Sequence, residues 1–348
     1  MKRLMLYACT ALLLLTVASC KKGPTLFTPT SSGRPYEVLV VVQPDVWKNP
    51  AGRALFDVLD TDVPGLPQAE RMFRISHVAN RDYDAILKLF RNIIVVDIQN
   101  IYSAPKMKGQ RDAHASPQNI LTIQAHDQAS FADFVRENGK TIIDYFVKSE
   151  FNRQLSLLKE EHNNVIAADV QDMFGCSIWM PRELQGEAAK KGKNFYWAST
   201  NKATADLNFV MYTYPYRDTD TFTLDYFIHK RDSVMKVNVP GARAGMYMAT
   251  DSIMVDMRNI SVNGTYMQEV RGLWYIKNDM MGGPFVSHAV VDEANGRVVV
   301  VEGFVYSPSR LKRNIMRMME ASLYSLSIPQ IATIQDIPIV GVAKETSK

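Results

Sequence analysis

Apolar residues recur along the first half of the chain at spacings that alternate between strand and helix. Short apolar and β-branched runs predict strands at Tyr36 to Val42, Met72 to Val78 and Asn92 to Ile98. Between them, residues 51–59 and 83–90 carry apolar residues at helical spacing, and Pro50 is placed at the first helical position. Strands that alternate with helices are typical of an α/β lobe.

A longer helical region completes this half. A polar, Lys-rich loop is predicted at 103–117, followed by a strand from Asn119 to Ala125. Asp127 or Ser130 is placed to cap the helix that follows, and Gly139 to bend or divide it.

The second half is richer in strands and aromatic residues, with helices predicted only at 222–235 and 309–326. Asn295-Gly296 is typical of a hairpin turn. Strands are predicted at 174–180, 195–200, 207–214, 245–249, 253–260, 265–274, 285–292 and 298–306. The sequence therefore predicts an α+β (mixed α/β) fold, in which a β-rich lobe with an antiparallel sheet covered by helices follows the α/β lobe. The boundaries are 36–165 for the N-terminal lobe, 166–336 for the C-terminal lobe and 337–348 for a tail.

The first twenty residues resemble a bacterial lipoprotein leader. Lys2 and Arg3 precede an apolar run that ends in Ala18, Ser19 and Cys20. This run is shorter than the roughly 20 apolar residues that span a bilayer. We expect residues 1–19 to be removed as a signal peptide and Cys20 to carry the attached lipid. The alternative is an ordinary secreted protein with a chance cysteine.

Residues 20–35 are rich in Lys, Gly, Pro, Ser and Thr and predict a flexible tether between the lipid and the fold. Two or three acyl chains hold a protein at a membrane more firmly than one does. No acidic residue directly follows Cys20, and we prefer a location under the outer membrane, facing the periplasm.

Charge and cysteine content narrow the possible functions. Loss of Lys2 and Arg3 lowers the formal net charge from +4 to +2, and a near-neutral protein gives no reason to expect nucleic-acid binding. Once Cys9 leaves with the leader and Cys20 carries lipid, Cys176 remains as a single thiol, so the mature chain is expected to have no internal disulfide.

One segment between two predicted strands concentrates the groups that could bind a ligand or partner. Its glycine pair could expose backbone amides to an anion, whereas the alternative is a tight turn with aromatic residues packed beneath it. The candidate residues are Arg271, Trp274, Asp279, Gly282, Gly283 and His288.

Two further patterns carry weaker candidates. Asp225 and His229 share a helix face and could orient a proton or a metal ion, although a solvated, salt-bridged face explains them as well. Tyr212, Tyr214 and Tyr216 recur at period two and could stack on a sugar or peptide, although a half-buried sheet face gives the same pattern.

Motifs for metal, cofactor or nucleophile chemistry are missing from the sequence. There is no His-Glu-x-x-His, no Gly-x-Ser-x-Gly and no phosphate-binding loop, so no metal and no cofactor is predicted. Cys176 lies in an apolar segment and is expected to be buried and inert.

The helix predicted at 309–326 has an apolar stripe and a basic stripe of Arg310, Arg313 and Arg317. We expect this helix to cover the sheet with its basic face in solvent, and docking on a membrane surface is the alternative.

The leader, Phe222-Thr-Leu-Asp225, Arg271-Gly-Leu-Trp274 and Met281-Gly-Gly-Pro-Phe285 together resemble an uncharacterised lipoprotein family of Bacteroidetes, a domain of unknown function. The resemblance implies an envelope location and brings no activity and no cofactor.

Two functional hypotheses follow. The first is a periplasmic binding or scaffold lipoprotein that uses a surface near Trp274 and Gly283 for an envelope protein or glycan. The second is a hydrolase or transferase acting on cell-envelope material, with a carboxylate and a histidine drawn from Asp279, His288, Asp225 or His229.

Overall fold

The computed structural model describes residues 28–262, 264–328, 337–338 and 343–344. The predicted leader, Cys20 and the first part of the tether lie outside the described residues. The predicted α+β class is confirmed, because helices accompany one mixed sheet and one antiparallel sheet.

The N-terminal sheet is built on four parallel strands. Its order is β13-β4-β5-β3-β1-β2, in which β1, β2, β3 and β5 run parallel and β4 is antiparallel to β5. The strands are β1 (Glu37–Val41), β2 (Arg74–Val78), β3 (Asn92–Ile98), β4 (Lys106–Arg111), β5 (Asn119–Ala125) and β13 (Ala343–Lys344). Since β13 pairs with β4, the predicted tail contributes a strand to the first sheet.

Helices accompany this sheet. They are α1 (Pro44–Lys48), α2 (Pro50–Leu59), α3 (Gln128–Glu137), α4 (Gly139–Glu160) and α5 (Asn164–Phe174). Asp127 caps α3 as predicted, because its carboxylate accepts the backbone N–H of Ser130 at 2.8 Å. Gly139 begins α4, so the long helical region is divided there; a Cβ at this position would lie 3.1 Å from Val58 of α2.

Three predictions for residues 83–180 were wrong. Residues 83–90 do not form a helix, because the Asp84 carboxylate accepts the backbone N–H groups of Ile86 and Leu87 and favours a short turn instead. The polar loop at 103–117 contains β4, whose pairing with β5 outweighs its polar sequence. The strand at 174–180 is absent, since α5 ends at Phe174 and Gly175 follows in the left-handed conformation with φ of 65°.

The predicted tether joins the fold before Tyr36. Thr30 and Ser32 form isolated parallel bridges with Ser116 and Phe90. The last part of residues 20–35 is therefore paired with the N-terminal lobe.

The C-terminal sheet is antiparallel throughout and has the order β6-β7-β8-β12-β11-β10-β9. The strands are β6 (Lys190–Gly192), β7 (Phe195–Ser199), β8 (Asp206–Pro215), β9 (Met248–Val262), β10 (Thr265–Ile276), β11 (Gly282–Asp292) and β12 (Arg297–Tyr306). The two strands predicted at 245–249 and 253–260 are one continuous strand, β9. The predicted turn joins β11 to β12, and Gly296 takes a φ of 59° there.

Helix α6 (Leu224–Asn238) covers one face of this sheet and α7 (Arg313–Leu323) the other. The face under α6 packs Tyr212, Trp274, Phe285 and Phe304 into a core of its own. The face under α7 joins the core of the N-terminal lobe, so the two lobes share one hydrophobic interior.

Helix α7 is shorter than predicted, and its basic stripe is solvated only in part, because Arg310 is exposed while Arg317 is buried. Leu311 lies before the helix and is 77% exposed, whereas Arg317 is 5% exposed and donates to Glu320 at 3.0 Å. A paired carboxylate allows the buried guanidinium. Among the described helices, none has both the length and the apolar content to cross a bilayer.

Candidate functional site

The predicted segment at 271–288 does not form one site. Residues alternate between the two faces of the β10–β11 hairpin, and this alternation separates the candidates. Arg271 and His288 lie buried on the α7 face, whereas Trp274 lies on the α6 face with its ring centroid 5.5 Å from that of Phe304.

The remaining members of the segment are also apart. Asp279 lies in the turn between β10 and β11 and accepts the backbone N–H of Met280 at 2.6 Å. His288 lies beyond Gly282 on β11, which at the usual rise of a strand puts it about 20 Å from that end of the hairpin. Gly283 allows a close strand contact, because a Cβ there would lie 2.0 Å from the carbonyl oxygen of Val305. The glycine pair is therefore part of the sheet.

Asp225 and His229 share one face of α6, as predicted, but they do not pair through the carboxylate. The Nδ1 atom of His229 lies 2.7 Å from the backbone oxygen of Asp225. The buried ionic group of this helix is Arg231, which donates to Glu302 at 2.7 Å and to Thr250 at 2.8 Å and is fully buried. This pair is enclosed between α6 and the sheet.

The three tyrosines divide between core and surface. Tyr212 and Tyr214 are buried under α6, whereas Tyr216 is half-buried and packs 6.1 Å from Phe222. Cys176 is buried as predicted, and burial raises the pKa of its thiol to about 11.

A cavity of about 570 Å³ lies where the two lobes meet, between α4, the β9–β10 hairpin and α7. We call it the inter-lobe cavity. Its size falls within the range of small-molecule sites, roughly 300 to 1,000 Å³. Its apolar wall consists of Met72, Ile143, Val147, Phe151, Ile260 and Val262.

The floor of the inter-lobe cavity is a buried ionic network. Arg271 donates to Glu269 through Nε at 3.0 Å and to Glu320 through Nη1 at 3.0 Å. Arg317 donates to the same Glu320 oxygen at 3.0 Å, and the Tyr324 hydroxyl donates to Glu269 at 3.1 Å. The two carboxylates are therefore held by cations and a phenol.

The floor stays ionised. Burial opposes ionisation of Glu269, but Arg271, His288 and Arg258 together outweigh it and lower the pKa of Glu269 well below its usual value of 4.5. Burial likewise opposes ionisation of Glu320, and Arg271 and Arg317 together lower the pKa of Glu320. Arg258 at the mouth also donates to Glu269. The two buried carboxylates are thus surrounded by the guanidiniums of Arg271, Arg317 and Arg258.

His288 packs behind this floor and does not line the cavity. Its ring lies edge-on to Tyr324 with centroids 4.7 Å apart, and its Nε2 is 3.5 Å from Glu269, which is long for a hydrogen bond.

Sequence reasoning missed most of the floor. Of its members only Arg271 was a candidate, whereas Glu269, Glu320 and Arg317 were not. One signal was present: Arg317 and Glu320 are three residues apart on an otherwise apolar helix face.

Two family models match the chain. A domain of unknown function (DUF8532) matches residues 31–159, and another domain of unknown function (DUF4837) matches residues 163–325. No curated protein matches. Solved structures that match part of the chain include a mutant of protein Mog1, 7% identical, and the Ran-binding protein Mog1p of Saccharomyces cerevisiae, 8% identical. Each match has a TM-score of 0.30 and covers 45% of this chain and 92% of the Mog1 chain. These values are too low to support any inference about this chain.

Proposed function

We propose that the chain is a lipid-anchored binding module of the bacterial cell envelope, whose ligand is an amphipathic carboxylate held in the inter-lobe cavity. The observation that carries the ligand is the pairing of an apolar wall with the guanidiniums of Arg258 and Arg317 on the polar side of the cavity. An apolar chain would lie against Ile143, Phe151 and Ile260, and its carboxylate would face Arg258 and Arg317.

The floor has an open position for such a group. Arg317 donates through Nη1 to Glu320 and through Nη2 to the sulfur of Met72, while its buried Nε has no partner among the described residues. A buried guanidinium nitrogen without an acceptor costs free energy. A ligand carboxylate would supply that acceptor.

The charge state of the floor favours binding over catalysis. A general acid that works near neutrality needs a carboxyl group with a raised pKa, whereas the pKa values of Glu269 and Glu320 are lowered. The sequence-based alternative, a hydrolase or transferase, needed Asp279 or Asp225 beside a histidine, and neither carboxylate is so placed.

The anchor in this proposal depends on the leader and Cys20. Thr30, where the chain joins the N-terminal lobe, lies ten positions after Cys20. This length spans at most about 35 Å, so the fold would stay close to the membrane. The absence of an acidic residue directly after Cys20 supports the periplasmic face of the outer membrane as the location.

A fluorescent carboxylate, 11-(dansylamino)undecanoic acid, tests the ligand. We expect the unlipidated mature chain to bind it with an increase in emission. Ile260→Trp fills the cavity wall and should weaken binding about tenfold or more, whereas Ile253→Trp on the same strand, at a residue 89% exposed, should leave it unchanged. Equal binding by both variants would rule out the inter-lobe cavity as the site.

Metabolic labelling with an alkyne fatty acid tests the anchor separately. The native chain should be labelled and sediment with membranes, and Cys20→Ser should be unlabelled and soluble. Label on the Cys20→Ser variant, or no label on the native chain, would contradict the anchor without bearing on the cavity.

A further inference from the structure

A second cavity, of about 560 Å³, lies at the amino ends of β3 and β5. We call it the arginine cleft, after Arg91, Arg111 and Arg153, which line it. Its lining is largely polar, in contrast to the wall of the inter-lobe cavity. Arg91 and Arg153 form its inner part, and Arg111, Asp112 and Glu160 lie on its exposed rim.

One carboxylate serves two guanidiniums at the base of this cleft. Glu150, which is 4% exposed, accepts from Arg91 at 2.9 Å and from Arg153 at 2.7 Å. The Asn92 amide donates to the same carboxylate at 2.7 Å. The inner part of the cleft thus carries one more cation than anion among the described residues.

The pKa of Arg153 reflects these surroundings. Burial lowers the pKa to about 10, and the neighbouring Arg91 contributes to this lowering while Glu150 opposes it. The enclosed pair of Arg231 and Glu302 differs, because one guanidinium meets one carboxylate and the pKa of Arg231 is raised: burial acts against that rise and Glu302 outweighs it.

Three buried polar atoms in the cleft also have no partner among the described residues. They are the Nε donors of Arg91 and Arg153 and the Oδ1 acceptor of Asn119. Asn119 and Arg153 are at least 93% buried, since their exposed fractions are 7% and 6%. Buried polar atoms are nearly always hydrogen-bonded, so these three indicate a missing polar ligand.

We propose that the arginine cleft binds the phosphate of a glycerol phosphate group. Two guanidinium Nε donors and one surplus positive charge suit an oxyanion. A hydroxyl on the same ligand would supply the donor that Asn119 Oδ1 requires.

Such a group has two possible sources, a soluble glycerol phosphate or the headgroup of a phospholipid. Thr30 and Ser31, which lie in the predicted tether, line the same cleft. The lipid source would follow from the proposed membrane anchor, whereas the site itself does not depend on it.

Calorimetry with sn-glycerol 3-phosphate tests the site on the unlipidated mature chain. Arg91→Ala leaves Glu150 with Arg153 as a balanced pair, and Asn119→Asp places a carboxylate in the cleft without a change of size. Loss of a charge-assisted hydrogen bond in Arg91→Ala, and repulsion between the phosphate and the new carboxylate in Asn119→Asp, should each weaken binding about tenfold or more. Arg53→Ala is the control, because that arginine is 69% exposed and pairs with Asp57 on α2.

Three results would overturn the proposal: no binding to the native chain, equal binding by Arg91→Ala and Arg53→Ala, or binding that survives in Asn119→Asp. A thermal unfolding curve accompanies each variant, so that loss of fold is distinguished from loss of the site.

Sedimentation with vesicles of phosphatidylglycerol, with phosphatidylcholine vesicles as reference, separates the two sources. Binding to phosphatidylglycerol that is lost in Arg91→Ala assigns the lipid headgroup. Binding of soluble glycerol phosphate without vesicle binding assigns the free compound, and either result supports the site.

Discussion

Glu70 caps a helix that belongs to the other lobe, because its Oε1 accepts the backbone N–H of Lys312 at 2.7 Å. Its second oxygen accepts the N–H of Arg313 at 2.8 Å. No side chain at the N-cap position itself serves α7. The start of this helix is thus stabilised by a loop of the N-terminal lobe.

Loss of this cap is expected to destabilise the protein. Glu70→Ala would leave two N–H groups without their acceptor at a site that is 5% exposed, and should lower the free energy of unfolding by about 2 kcal/mol. Urea denaturation measures the change. Glu161→Ala, at a side chain 72% exposed, is the control, and an equal effect of the two substitutions would contradict the role of Glu70.

The ionic floor of the inter-lobe cavity predicts sensitivity to acid. Because the pKa of Glu320 is lowered from 4.5 in the folded chain, its contribution to stability is complete above pH 4.5. This contribution is lost as the pH falls below 4.5 through the folded pKa. Glu320→Gln should flatten the acid side of the stability curve and lower stability at pH 7 by about 3 kcal/mol, since buried guanidiniums lose their partner.

Chemical denaturation at a series of pH values between 3 and 7 checks this prediction. Glu161→Gln serves as the exposed control. If the plots of stability against pH were parallel for Glu320→Gln and the control, the neighbouring guanidiniums would not stabilise the ionised form of Glu320 as described.

Close approach of two strands at Gly283 predicts a further loss of stability. A Cβ at Gly283 would lie 2.0 Å from the carbonyl oxygen of Val305, whereas a Cβ at Gly192 would meet Phe195 at 3.7 Å. Gly283→Ala should therefore lower the free energy of unfolding by about 2 kcal/mol, and Gly192→Ala by much less. Thermal unfolding of the two variants side by side gives the difference, and equal midpoints would contradict a close contact between the strands at Gly283.

Much of the fold could be predicted where local chemistry and tertiary packing agree. The bounds of β3 and β5 match the sequence prediction, and the cap at Asp127 follows from its own hydrogen bond to Ser130. The prediction failed where contacts between residues distant in sequence determine the secondary structure. Strand β4 has a polar sequence and forms because β5 supplies its backbone hydrogen-bonding partners.

The candidate site was harder to predict for a related reason. Residues close in sequence, such as Arg271 and Trp274, point to opposite faces of one sheet. Residues that do meet, such as Glu269 and Tyr324, come from a strand and from the segment after a helix. Without the topology, no spacing rule connects them.

Strand β13 has a practical consequence for making fragments of this protein. It pairs with β4 at the outer edge of the first sheet, although it follows the second sheet in the chain. A fragment cut between the two matched ranges, at residues 160–162, would lack β13 and expose the backbone of β4. An unpaired edge of this kind recruits other chains, so the isolated amino-terminal piece should self-associate, and expression boundaries should keep both ends of the polypeptide together.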